Sequence, residues 1–344
     1  MDRSAETDDK RPRVFSITSG GRRAILLTSD GVTIEAEHLP GAGPADLAGS
    51  VDSVDSAGEG ADADRLDGPA GLGGPAGLDR FCIVMAHGFT GSLDRPAVRR
   101  AARTLRAYGG VVVFSFRGHG NSGGHSTVGD REVFDLDAAV RWARRLGYQR
   151  VATVGFSMGG SVVLRHAGGS ADGYGLGSGN GAGAGPHGPR ESREPHEPPE
   201  PYGPYEPVAA VVSVSSPARW YYRGTAPMRR VHWAITRPTG RLVSRYGLKT
   251  RIQAADWDPV PRSPVESVPY IAPTPLLIVH GDRDGYFPLD HPYSLAAAAE
   301  TAGHPDAELW IERGFGHAEN AAGPELLARI GDWLTARVAV IPGI

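Results

Sequence analysis

Cysteine is nearly absent: Cys82 is the one thiol in 344 residues, so no disulfide can close within the chain. Its position inside an apolar run reads as a small buried hydrophobe. Long hydrophobic runs are also missing, and nothing approaches the roughly 20 residues needed to span a bilayer. The stretch MDRSAETDDKRPR is charged and carries no hydrophobic segment of the signal-peptide kind. There is no cationic excess either, since the formal net charge is -3. Without surplus Lys and Arg a chain gains little from releasing the counterions of a polyanion, so nucleic acid is not an expected partner. These absences lead to the expectation of a soluble, cytoplasmic protein whose 40% hydrophobic residues can fill one large core.

Two stretches lack apolar periodicity. Residues 41–79 and 168–206 are rich in Gly, Pro, Ser and acids. Neither can bury enough surface to offset its ordering entropy, so both read as disordered insertions. His187 and His196 lie in the second, at a spacing that fits no metal-ligand motif. No metal site and no cofactor are expected anywhere in the chain.

Elsewhere, short apolar runs alternate with amphipathic segments. Residues 24–28 and 32–38 read as strands joined at Ser29-Asp30-Gly31, a hairpin turn signal. Further strands are expected at 81–86, 111–116, 151–155, 208–216, 275–282 and 307–312. Helices are expected at 95–107, 130–146, directly after Ser157, near 290–302 and at 324–338. In the 130–146 helix, Val133, Leu136, Ala139, Val140 and Ala143 share one face. This alternation indicates an α/β fold with a mostly parallel central sheet, helices on both faces and an antiparallel start. In such sheets the site lies beyond the carboxyl ends of the strands.

The residues at those strand ends carry chemistry. His87-Gly88-Phe89-Thr90-Gly91 comes after 81–86. Arg117-Gly118-His119-Gly120 comes after 111–116. Phe156-Ser157-Met158-Gly159 comes after 151–155. His280-Gly281-Asp282-Arg283-Asp284 closes the 275–282 run, and Gly316-His317 lies past 307–312. A serine, an acid and a histidine therefore occur in that order at strand ends. A serine hydroxyl becomes a nucleophile when an imidazole takes its proton, and the imidazole needs a carboxylate to fix its tautomer. Glycines at 155 and 159 allow a sharp strand-to-helix turn that projects the hydroxyl. A plain helix-capping serine is the rival reading. An oxyanion would meet the N–H of Met158, at the helix start, and that of Phe89.

Taken together, GxSxG after a strand, HGFTG upstream, RGHGNS between them, HGDRDGYFP downstream and a final GFGH resemble the α/β-hydrolase superfamily, in its serine esterase, lipase and aminopeptidase-like branch with a short cap. The resemblance covers nearly all of the chain outside the two insertions. It implies an α/β-hydrolase core from 1–40, 80–216 and 274–344, with a cap over 217–273. Position by position it implies Ser157 as nucleophile, Asp284 as acid, His317 as base, and Phe89 and Met158 as oxyanion donors. Asp282 is the other candidate acid; the family spacing between glycine and proline selects Asp284. His87 and His280 resemble histidines that support local turns, His119 a turn residue near the mouth, and Arg117 a loop anchor. Where relatives often place an acid two residues before that arginine, Ser115 stands here, which implies a weaker local salt bridge.

Within 217–273, residues 227–235 and 239–246 suggest two short helices, broken at Arg237-Pro238, with Met228, Val231, Ile235, Leu242 and Val243 as an inward apolar face. Trp220, Tyr221, Met228 and Trp233 are the expected substrate-contacting residues. Nine Arg and Lys between 219 and 251 read as a solvated basic surface rather than a docking face, so a membrane surface is not an expected partner. The resemblance implies a serine hydrolase cleaving a carboxylic ester of a small or medium, mainly apolar molecule. A thioesterase, an acyltransferase or a serine peptidase would use the same residues, although the cap's few acids disfavour a substrate with a free ammonium. A binding protein on the same fold is the non-enzymatic alternative. None of these motifs encodes an oligomeric state.

Overall fold

The computed structural model describes residues 13–18, 21–42, 81–169 and 208–339. Of the two expected insertions, nearly all lies outside these residues. Ala42 is buried and Gly168 closes a helix, so the described residues reach slightly into both stretches.

Among the described residues the sheet has nine strands: Arg13–Thr18 (β1), Gly21–Leu27 (β2), Thr33–Leu39 (β3), Phe81–Ala86 (β4), Gly110–Phe114 (β5), Arg150–Phe156 (β6), Ala210–Val214 (β7), Leu276–Gly281 (β8) and Ala307–Glu312 (β9). Their spatial order is β1-β2-β3-β5-β4-β6-β7-β8-β9. Pairings from β1 through β3 to β5 are antiparallel, and the remainder are parallel. β1 is not among the expected strands, although RVFSIT is rich in β-branched and aromatic residues; it pairs with β2 at the sheet edge. The β2–β3 turn is built as its residues dictate: the Thr28 hydroxyl donates to Asp30 (2.7 Å) and accepts the Val32 N–H (2.9 Å). Gly31 there takes φ +83°, a conformation that disfavours a side chain.

The helices are Pro96–Leu105 (α1), Glu132–Arg145 (α2), Met158–Gly168 (α3), Ala226–Thr236 (α4), Pro238–Gly247 (α5), Pro264–Ser267 (α6), Asp290–Thr301 (α7), Ala318–Ala321 (α8) and Pro324–Ala339 (α9). Alternation along the central strands splits the core into two layers. On β4, Cys82, Val84 and Ala86 belong to the layer that also holds Leu136 of α2, Val162 of α3 and Leu295 of α7. Phe81, Ile83 and Met85 face α1 and α9, packing with Leu105, Ile330 and Leu334. Burial pushes the Cys82 thiol up, leaving it an inert apolar filler. On α2 the buried face is wider than expected: Ala138 and Trp142 join it, while Val133 is only partly covered. Among the described residues no helix is long and apolar enough to cross a membrane.

Two cap helices lie between β7 and β8, where they were expected. The inward face is not as expected. Met228, Val231 and Ile235 of α4 line a cavity, whereas Leu242 and Val243 of α5 are each 54% exposed. Gly240 explains the difference. A Cβ there would come within 2.4 Å of the Trp233 carbonyl oxygen, so α5 lays its small-residue face, Gly240 and Ser244, on α4. Leu242, half a turn from Gly240 and Ser244, points outward, and Val243 is left exposed at the flank of that contact.

Candidate active site

The turn from β6 into α3 is held by backbone contact. A Cβ on Gly155 would lie 2.2 Å from the Gly159 carbonyl oxygen, and one on Gly159 would lie 2.3 Å from that of Ala86. Only glycine fits either place. Between them Ser157 takes φ 51°, ψ -112°, a strained conformation for a residue with a side chain. Its N–H donates to the Val214 carbonyl (2.8 Å) and so ties the turn to β7. The hydroxyl does not cap α3. Instead Ser157 Oγ lies 2.9 Å from His317 Nε2.

His317 Nδ1 lies 2.8 Å from Asp284 Oδ2. The other oxygen, Oδ1, accepts the N–H groups of Tyr286 (2.8 Å) and Phe287 (3.1 Å). Burial pushes the Asp284 carboxyl up. The bond to His317, its charge and the two backbone donors outweigh burial and hold it below its ordinary value. An ionised Asp284 fixes the proton on Nδ1 and leaves Nε2 to accept from Ser157. The Tyr286 ring stacks on the imidazole, with centroids 4.2 Å apart. Nothing in the stretch HGDRDGYFP signals this contact, because a loop tyrosine has no periodic face. Asp282 is exposed and accepts the Gly314 N–H (2.6 Å), away from His317.

The other histidines hold loops. His87 Nε2 accepts the Phe116 N–H (3.1 Å) and Nδ1 donates to the Gly88 carbonyl (2.7 Å). Burial lowers its pKa to about 3, so the ring is neutral. His119 Nε2 accepts the Thr90 N–H (3.3 Å), and Nδ1 donates to the Arg117 carbonyl (2.9 Å). It too is pushed down by burial. His280 donates from Nε2 to the Phe287 carbonyl (2.9 Å), behind Asp284. Arg117 is buried and bonded to Asp135 (2.8 Å) and Asp30 (2.6 Å). The expected weakening at Ser115 is therefore absent, because the arginine finds its acids on α2 and in the β2–β3 turn. Ser115 instead donates to Glu35 Oε1 (2.7 Å).

Phe89 and Met158 both border the cavity that contains Ser157. Met158 opens α3, so its N–H has no intrahelical carbonyl. Among the described residues no hydrogen bond engages the Phe89 N–H. Its loop is nonetheless pinned: Gly91 N–H donates to the Gly88 carbonyl (2.9 Å), and Gly88 N–H donates to Glu319 Oε1 (3.1 Å). Glu319 carries no sequence signal, because an acid two residues after a loop histidine looks like a surface residue. It is buried, and burial raises its pKa above the usual carboxyl value. Its second oxygen, Oε2, has no hydrogen-bond partner.

The cavity above Ser157 measures about 510 Å³ and is mostly apolar. Trp220, Tyr221 and Met228 line it, with Trp257, Tyr286 and Phe287. Trp220 is fixed by donation from its indole to the Pro261 carbonyl (2.9 Å) and by an edge contact to Trp257. Trp233 does not line the cavity; it faces away from α4's inner side and is 46% exposed. One wall is the 126–129 loop, which Glu132 gathers by accepting the N–H groups of Thr127 (2.8 Å), Val128 (3.1 Å) and Gly129 (2.9 Å).

Known proteins share this architecture. An esterase of Pyrococcus furiosus, Pf2001, superposes with a TM-score of 0.58 at 18% identity, over 95% of this chain and 99% of that one. The α/β hydrolase GrgF of a Penicillium species gives 0.56 at 17% identity, over 93% and 99%. At these identities the likeness is one of fold. No curated protein matches the sequence. The family model described as "Alpha/beta hydrolase family" matches residues 83–329, well over half of the chain. That span runs from β4 into α9 and contains Ser157, Asp284 and His317, and the chain belongs to the alpha/beta hydrolase family.

Proposed function

We propose that this chain is a serine hydrolase that cleaves a carboxylic ester of a small or medium, mainly apolar molecule. The observation that carries the reading is the unbroken chain Asp284–His317–Ser157, with links of 2.8 and 2.9 Å, at the base of an apolar cavity. Ser157 Oγ attacks the ester carbonyl while His317 Nε2 takes its proton. The N–H groups of Phe89 and Met158 receive the oxyanion, each donor lowering the barrier by about 3 kcal/mol. The C–O bond then breaks, His317 returns the proton to the departing alkoxide, and an acyl-Ser157 remains. A water deprotonated by His317 attacks that acyl group and releases the acid and free Ser157. The aromatic walls take up the apolar acyl or alcohol part, and water is displaced from them.

The test is hydrolysis of p-nitrophenyl esters from acetate to laurate by wild type and Ser157→Ala. Turnover by wild type alone, with an optimum set by cavity length, is expected. Equal activity of the two proteins contradicts the reading. Wild type that is folded, labels with a serine-directed probe and yet cleaves no ester would point to a thioester or amide.

A further inference from the structure

The catalytic cavity leaves the outer face of the cap without a role. From Pro207 to Ala255 the chain contains no Asp or Glu, yet it carries nine Arg and Lys. The sequence alone favours a solvated basic surface. The exposed apolar side chains at its centre change that reading. Trp233 is 46% exposed, Leu242 and Val243 54% each, and Tyr246 75%. They stand on the outward sides of α4 and α5, whose inner sides meet the cavity and each other. Arg237, Arg245 and Lys249 are exposed among them and make no ion pair with any described residue.

We propose that this face docks on an anionic phospholipid bilayer, with Trp233, Leu242 and Tyr246 entering the headgroup region and Arg237, Arg245 and Lys249 meeting lipid phosphates. The chemistry of the face matches that surface on both counts. Trp and Tyr settle at the boundary between water and acyl chains, aliphatic side chains gain by entering it, and nearby cations gain from anionic headgroups. A second copy of the chain is a poor occupant, because it would set one acid-free cationic face against another. A nucleic acid would use the cations and leave Leu242 and Val243 with nothing to cover them. Docking would place α4 as a single-helix wall between the bilayer and the cavity, since Met228, Val231 and Ile235 line the cavity from its other side. The proposal does not depend on which bond the site cleaves.

The test is co-sedimentation of the full chain with vesicles of phosphatidylcholine alone or of equimolar phosphatidylcholine and phosphatidylglycerol. One variant combines Trp233→Ser, Leu242→Ser and Tyr246→Ser; another combines Arg237→Gln, Arg245→Gln and Lys249→Gln. Tyr246→Ser alone guards against a folding defect, being the most exposed of these positions. Partitioning onto the anionic vesicles only is expected, weakening with salt. It should fall about fivefold for each cation removed and be lost in the triple serine variant, with thermal melting unchanged. No partitioning of wild type onto anionic vesicles overturns the proposal, as does binding that survives both triple variants. So does retention on a single-stranded oligonucleotide, or a dimer, that the same substitutions abolish while vesicles are ignored.

Discussion

At Ser157 a strained backbone and a hydrogen bond serve one end. The left-handed conformation turns Oγ away from the helix it would otherwise cap and toward His317 Nε2. Asp284→Asn would keep the geometry and lose the charge that fixes the Nδ1 proton. We expect kcat to drop by about four orders of magnitude with KM little changed, measured on the best p-nitrophenyl ester. The Asp284 carboxyl is held below its ordinary 3.8 in the folded chain. Its contribution to stability is thus complete above that value and lost as pH falls through the lower folded one. Urea titrations of wild type and Asp284→Asn should therefore converge in strong acid. Glu319 behaves oppositely. Burial raises its pKa above 4.5, so the folded chain binds that proton more tightly than the unfolded chain does. Its cost is absent below 4.5 and grows as pH rises through the folded value. Glu319→Gln should gain stability relative to wild type between acid and neutral pH while keeping an acceptor for Gly88 N–H. Glu319→Ala removes that acceptor, frees the loop that carries Phe89, and should lower kcat by about ten- to a hundredfold. Equal kcat in both variants would show that Glu319 does not position the loop.

Among elements, the β6–α3 turn leaves the least freedom. Gly159→Ala would press a methyl to 2.3 Å from the Ala86 carbonyl oxygen. A loss of about 2–3 kcal/mol is expected, read as a lower urea midpoint. A midpoint within error of wild type would mean the turn can open without cost. This element was legible in the sequence because glycines at 155 and 159, flanking a serine at the end of an apolar strand, mark a turn with no room for Cβ. The cap was less so. Apolar residues at helical spacing read as an inward face, yet on α5 it is Gly240 and Ser244 that pack inward. A pattern of apolar residues reports amphipathicity, not which side finds a partner. Glu319 and Asp135 escaped notice for a related reason. A carboxylate in sequence looks solvated, and only the fold shows the backbone N–H or arginine that takes it inside.

Over the whole molecule, a parallel sheet brings together residues far apart in sequence. Ser157 and His317 are 160 positions apart and end 2.9 Å from each other. Their order along the chain, each at a strand end, made the grouping readable from the sequence, since the carboxyl edge of such a sheet is one locality. Side-chain neighbours with no such address, like Tyr286 against His317, needed the fold. The central claim is that this locality activates Ser157, and the most direct measurement is the intact mass of the protein after treatment with a fluorophosphonate. An activated Ser157 predicts one adduct, mapped to that residue, absent in Ser157→Ala and strongly slowed in His317→Ala. A folded wild-type protein that stays unmodified, or an adduct at another residue, would contradict it.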